Sequence, residues 1–148
     1  MRFVIQVARD ANVTIEEQVV GAIDYGFVVL IGVGEDDTKE IADKMVKKML
    51  GLRIIPDENG KTNLSLAQVQ GQLLLISQFT LYADCKKGNR PSFVHAGSPD
   101  LATELYEYVI SECKKVVSHV DTGEFGADMH VTLTNEGPFT IILDSDQL

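Results

Sequence analysis

Tryptophan is missing from this chain, cysteine occurs only twice and histidine three times. That scarcity already excludes several chemistries. Cys85 and Cys113 stand in unrelated contexts with no CxxC spacing, and His95, His119 and His130 fall in three different segments. No HxxxH or Cys/His pattern supports a metal site, so neither a metal nor another cofactor is expected. Two cysteines without a pairing context predict free thiols in a reducing, cytoplasmic setting. Long apolar runs are lacking too, which leaves no segment of membrane-spanning length and no expected membrane partner. The start, Met1-Arg2-Phe3-Val4-Ile5-Gln6, has neither the apolar core nor the small-residue cleavage site of a signal peptide. Positive charge is in deficit as well: 13 Lys and Arg face 22 Asp and Glu, for a net charge of −9. Diffuse nucleic-acid binders normally carry the opposite sign, because phosphate neutralisation supplies most non-specific affinity. Contact with RNA must therefore be local, and no DNA partner is expected.

What remains is ordinary globular material. The 148 residues, 45% apolar and 24% charged, predict one domain over 1–148 with its own core. Its most informative stretch is Leu73-Leu74-Leu75-Ile76-Ser77-Gln78-Phe79-Thr80-Leu81. The aliphatic run reads as a short strand buried on both faces. At its end the chain offers a hydroxyl, an amide, an aromatic ring and a second hydroxyl. These groups either line the mouth of a pocket or simply bond nearby backbone where the strand surfaces.

Around that strand, β-prone runs recur at 3–7, 12–16, 19–24 and 27–33, and again at 52–55, 119–121, 129–133 and 139–143. Asp36-Asp37-Thr38 opens a helix whose apolar stripe is Ile41, Ala42, Met45, Val46, Met49 and Leu50, and Gly51 is expected to stop it. Ser98-Pro99 opens a second, with Leu101, Ala102, Leu105, Tyr108, Val109 and Cys113 inward. Residues 61–70 read as irregular and 84–97 as a loop. The expectation is an α+β fold, two main helices against a mostly antiparallel sheet.

The sequence supplies no complete catalytic motif. Gly32-Val33-Gly34 is followed by Asp36-Asp37, which would repel a pyrophosphate, so the glycines are assigned to a strand-to-helix turn. GxSxG is absent around Ser77, and no spacing brings a histidine to Ser77 or Thr80. Two further stretches stand out. Lys86-Lys87-Gly88-Asn89-Arg90 is the densest basic cluster, either a solvated loop or a phosphate contact. Gly137-Pro138 interrupts two β-prone runs, where proline cannot join a central ladder. It is a plain hairpin turn or a rigid device aiming its carbonyls at something.

Taken together, Ser77-Gln78-Phe79-Thr80-Leu81-Tyr82, Lys87-Gly88-Asn89-Arg90-Pro91-Ser92-Phe93, Gly126-Ala127-Asp128-Met129 and Asn135-Glu136-Gly137-Pro138 with Thr140 resemble the motifs of the D-aminoacyl-tRNA deacylase family, first described for D-tyrosyl-tRNA. The likeness runs from Arg2 to Asp144. It implies a barrel-like core of the family's fold and a homodimer that hydrolyses the ester of D-aminoacyl-tRNA, releasing the free D-amino acid and tRNA. Ser77, Gln78, Phe79 and Thr80 would form the catalytic pocket, with the Phe79 and Thr80 amides facing the developing oxyanion. Gly137 and Pro138 would form a cis pair inserted into the other subunit's pocket. Phe125 and Met129 would hold the terminal adenosine, and Lys86, Lys87 and Arg90 would contact the tRNA. The chemistry implied is RNA-assisted, through the terminal ribose 2′-hydroxyl, which fits the missing protein base. The chain departs from the family at Gln6-Val7-Ala8, where relatives usually carry Gln-Arg-Val, and at Asn12, where they carry serine. Val7 removes a guanidinium that would support the Gly-Pro segment, which leaves open how that segment is held and whether the neighbouring Arg9 compensates.

Such a site would select by exclusion. Attraction gives only about 1–3 kcal/mol per pocket contact, whereas rigid carbonyls placed where an L residue's Cβ must go cannot be offset. Glycine, lacking a Cβ, should also enter, which predicts glycyl-tRNA, including glycine mischarged on tRNA-Ala, as a second substrate. Two alternatives stand beside this one. A non-catalytic dimeric binding module of the same fold would show no deacylation. A small-molecule esterase using Thr80 would act without RNA.

Overall fold

The computed structural model describes Met1–Leu148 and contains a five-stranded sheet, a two-stranded ribbon and two helices. The first four β-prone runs merge into two long strands, β1 (Arg2–Ile15) and β2 (Gln18–Gly32), paired antiparallel. Glu16 and Glu17 make the turn between them, both at positive φ, 50° and 66°. A two-residue hairpin loop needs that conformation, which usually draws Asn or Gly. Glutamates there give no turn signal, which is why the runs look shorter than they are.

Both helices begin where the caps place them. In α1 (Lys39–Gly51) the Thr38 hydroxyl accepts from the Ile41 amide, and in α2 (Pro99–Lys114) the Ser98 hydroxyl accepts from Leu101. Gly51 is the last helical residue and Leu52 the cap. The stretch expected to be irregular instead carries a strand: β3 (Arg53–Pro56) pairs antiparallel with β4 (Thr62–Ser65), and a short 3-10 turn follows at Ala67–Val69. Asp57 organises the ribbon's turn by accepting the Asn59 and Lys61 amides, which hold its carboxyl below the usual range.

The aliphatic run becomes β5 (Gln72–Ser77), with Leu73, Leu74, Leu75 and Ile76 at most 2% exposed. It enters the sheet parallel to β2, and β6 (Val120–Thr122) lies parallel to β5 on its outer side. The last two β-prone runs form one strand, β7 (His130–Asp144), antiparallel to β1. The order is β6-β5-β2-β1-β7. The two long ladders are antiparallel as expected; the parallel entry of β5 is not visible in a strand buried on both faces.

The helices pack on one face, where Phe3, Ile5, Phe27, Val29, Leu73 and Leu75 meet Met45, Met49, Leu105 and Val109. A smaller cluster of Ala8, Ala11, Val13, Ile23, Val28, Leu74 and Ile76 lines the other. Alternation along β1 breaks at Asp10, φ 51°, and Ala11 and Val13 thereby turn to the face opposite Phe3 and Ile5. Fully burying a Leu or Phe side chain stabilises the fold by roughly 1.5–3 kcal/mol, so β5 is fixed by its surroundings and the residues at its end are fixed with it.

Candidate active site

The site grows from the C-terminal end of β5. The Gln78 amide donates to the Ile31 carbonyl at 2.7 Å, extending the link to β2 by one residue. The chain then turns into a 3-10 segment, Phe79–Tyr82. That turn lies against Gly32 and Gly34. A Cβ on Gly32 would sit 2.9 Å from the Leu81 Cβ, and one on Gly34 would sit 2.9 Å from the Tyr82 ring. The glycine pair therefore serves close approach of the site turn rather than a nucleotide loop. Arg2 fastens the turn from outside. It donates to the Leu81 carbonyl at 2.8 Å and to Asp144 at 3.0 Å, with its guanidinium 4.5 Å from the centre of the Tyr82 ring.

Tyr106 of α2 braces the inner wall. Its hydroxyl donates to the Leu75 carbonyl at 2.7 Å, and its ring lies 6.2 Å from that of Phe125. Burial pushes this phenol's pKa well up, so the hydroxyl keeps its proton as a donor. Between β5 and the segment leading into β7 lies a cavity of about 310 Å³, whose lining includes Ile76, Ser77, Gln78, Phe79, Phe125 and Met129. Five predicted site residues thus share one pocket. Among the lining residues only Asp128 is ionisable, and no histidine is present.

The other predicted residues are placed differently. Thr80 is exposed and outside this lining, its hydroxyl accepting from the Gln78 side-chain amide at 2.5 Å. Internal bonding of the turn begins with the Leu81 amide on the Gln78 carbonyl, 3.3 Å, so the Phe79 and Thr80 amides precede the first internal bond. Lys86, Lys87 and Arg90 are all exposed on a loop whose ends pair as Asp84 with Ser92. Phe93, directly after it, meets Phe79 edge-on at 5.0 Å and ties the basic loop to the pocket mouth. Gly137 and Pro138 are exposed on β7, joined by a cis peptide bond, and do not line the pocket within a single chain. Beside them Arg9 donates to Glu136 at 2.7 Å and lies 4.7 Å over the Tyr25 ring. The guanidinium next to the Gly-Pro segment therefore comes from position 9. Val7 is buried in the main core.

Sequence reasoning missed Gly123 and Tyr106 and named Asn135 only as a motif residue, without a part of its own; their contacts alone reveal them. A second cavity is larger, about 600 Å³; its rim sets Glu35, Asp36, Asp37, Asp84 and Asp146 against Arg2, Lys86 and the Met1 ammonium, and the carboxylates outnumber the cations. That balance disfavours an anionic ligand, so the smaller pocket is the better candidate.

A mixed sheet with two helices on one face, and a partly aromatic pocket with Asp128 as its one ionisable lining residue at the C-terminal end of β5, defines an α+β protein with a small cleft beside the central strand β2. The chain belongs to the D-Tyr-tRNA(Tyr) deacylase family, whose sequence profile matches residues 4–144. It is 51% identical over 148 residues to the D-aminoacyl-tRNA deacylase of Thermosipho africanus, covering 100% of this chain and 99% of the relative. The corresponding protein of Lactobacillus gasseri is 54% identical over 144 residues, 97% of this chain and 99% of its own. Among solved structures, the c-Myc DNA unwinding element binding protein superposes with a TM-score of 0.92 at 36% identity, over 97% of this chain and 98% of that one. A probable eukaryotic D-amino acid tRNA deacylase shares the fold, with a TM-score of 0.85 at 18% identity over 96% and 97%.

Proposed function

We propose that this chain is a hydrolase that cleaves the ester of D-aminoacyl-tRNA, with the 3′-terminal adenosine seated in the 310 Å³ cavity. The observation that carries the reading is the convergence of Ser77, Gln78 and Phe79 with Phe125 and Met129 around a pocket without a histidine. Phe125 and Met129 would hold the base by ring and thioether contact. The Phe79 and Thr80 amides would donate to the ester oxygen as negative charge develops. Water adds to the carbonyl carbon, the bond to the ribose oxygen breaks, and the proton given up by the water passes through the neighbouring ribose hydroxyl to that departing oxygen, so that free amino acid and tRNA leave. Lys86, Lys87 and Arg90, tethered to the mouth through Phe93 and Phe79, would meet tRNA phosphates. A confined basic loop suits an acidic chain, because it attracts the acceptor end without holding duplex elsewhere.

The selecting device would be Gly137 and Pro138 of a second copy. In a homodimer their carbonyls would enter the pocket where an L side chain must lie, leaving room for D-aminoacyl and glycyl esters, glycine mischarged on tRNA-Ala included. The unpaired edge of β7 is where the second copy would sit. The fold would act as one domain in the cytoplasm. The small-molecule esterase reading is disfavoured, since the Thr80 hydroxyl is partnered by an amide and not by a base.

Hydrolysis of D-aminoacyl-, L-aminoacyl- and glycyl-tRNA by the purified protein tests the reading. The D and glycyl esters should turn over and the L ester should not; rapid L turnover would refute the filter. Thr80→Ala, which keeps the backbone amide, should retain most activity, whereas a 2′-deoxy terminal adenosine should lose it. The reverse pattern would make Thr80 a nucleophile.

A further inference from the structure

β7 does not run straight past β1. Ala8 pairs with Asn135 and Gln6 with Thr140, so the segment Glu136–Phe139 stands opposite Val7 alone. Antiparallel ladders ordinarily absorb one extra residue at a bulge, and an excursion of this length tied only at its ends would flex. Its own backbone offers little to stiffen it. Gly137 and Pro138 are exposed, Gly137 sits at φ 123°, and Pro138 has no N–H to donate.

A side chain supplies the missing brace. Asn135 Oδ1 accepts the Phe139 N–H at 2.8 Å, and Asn135 Nδ2 donates to the Thr140 hydroxyl at 2.9 Å. The two bonds use both ends of one planar amide, so they fix its orientation as well as its position. They also join the residue that enters the excursion to the two that leave it. Gln6 reaches the same hydroxyl more loosely, at 3.4 Å. The Arg9–Glu136 pair is about half exposed, 52% and 41%, and contacts of that kind hold geometry weakly. Val7, opposite the excursion, turns into the core and adds nothing polar.

We propose that Asn135 is the positioning residue for enantiomer rejection, bracing the excursion so that the Gly137 and Pro138 carbonyls cannot retreat from an L side chain. This rests on the reading that those carbonyls face the amino acid. A steric barrier discriminates only if it does not yield, and here the amide of Asn135 keeps it from yielding. Its loss should therefore change which enantiomer is admitted rather than how the ester is cut.

The test is single-turnover hydrolysis of D- and L-aminoacyl-tRNA carrying the same side chain, by the full-length protein. In Asn135→Ala the ratio of L to D rates should rise about tenfold, the consequence of losing two neutral hydrogen bonds. Asn135→Asp keeps the acceptor for Phe139 and can accept the Thr140 hydroxyl, so its ratio should stay within about threefold of the parent. An unchanged ratio in folded Asn135→Ala, or equal loss of both rates, overturns the proposal. If Asn135→Ala does not fold, the exposed Thr140→Val, which deletes the hydroxyl held by Asn135 and Gln6, decides instead. A ratio raised about threefold supports the brace, as expected for one such bond, and an unaltered ratio overturns it. Failure of the underlying reading looks different: the parent protein itself would leave D esters intact or cut both enantiomers equally.

Discussion

Gly123→Ala is the most informative single change, because its effect can be worked out from one contact. A Cβ at Gly123 would lie 2.3 Å from Met129 Sδ, 3.4 Å from Ile76 Cδ1 and 3.6 Å from Met129 Cε. Gly123 is not in the left-handed region, so alanine fits its backbone and only the side-chain collision counts. Heavy atoms in contact settle near 3.5–4.0 Å, which requires the thioether to retreat by about 1.2 Å or more. Methionine has three rotatable bonds and can move, and it shares the lining of the cavity with Phe125. Overpacking of this kind costs roughly 1–3 kcal/mol. To the extent that the displaced thioether occupies the pocket, the cost falls on binding, and tenfold in affinity corresponds to about 1.4 kcal/mol. We expect KM for D-aminoacyl-tRNA to rise about 5- to 150-fold on this basis, with kcat little changed, since the proposed function gives Met129 the base and not the ester. Steady-state kinetics measures this, and a melting curve reports how much of the cost the fold absorbs. The decisive arm is Gly123→Ala with Met129→Ala. Without the thioether the new methyl has room, so the double variant should lose less than the two singles summed, by about 1 kcal/mol or more. Additive losses, or an unaltered KM in a stable single variant, would refute both the collision and the part given to Met129.

Two further outcomes follow from burial and charge. Cys85 is exposed, whereas Cys113 is buried, with its thiol pushed up to about 12 by desolvation; a thiol reagent should therefore label one cysteine quickly in the native protein, and Cys85→Ser should abolish that phase. Burial alone would raise the Asp144 carboxyl, but the Asp146 amide and the Arg2 guanidinium outweigh it and hold its pKa below the ordinary range. Asp144 therefore stabilises the fold above the unfolded carboxylate range, and that contribution is lost as pH falls through its lower folded value. Urea midpoints against pH should fall less steeply in acid for Asp144→Asn; parallel curves would contradict the assignment.

Much of this structure could be read from residue order because local chemistry and tertiary packing agree. Thr38 and Ser98 announce their helices by capping them, and the aliphatic run 73–76 reads as a strand buried on both faces, as it is. The pocket residues at 77–79 and 129 stand in recognisable motifs and Phe125 enters only through the family resemblance, but their meeting is not legible, since it depends on β5 pairing parallel to β2 across the middle of the sheet. The hairpin at Glu16-Glu17 was hidden because its residues are not those its backbone angles usually select. Gly123 and Tyr106 are silent in sequence for another reason. One matters through a side chain it lacks, the other through a hydroxyl that bonds a main-chain carbonyl 31 positions earlier.

The excursion of β7 has a consequence that does not concern substrate at all. β7 is the outermost strand beside β1, and at 15 residues it would be a long, open template for stray chains to add to. The detour at 136–139 divides that template into two short pieces, and a proline that cannot donate stands at the break. Any strand docking there must register with one piece or the other and cannot run the full length. The kink thus leaves no uninterrupted edge of full length on which a fibrous array of chains could grow. Replacing residues 136–139 with an uninterrupted strand should therefore raise self-association, read by light scattering.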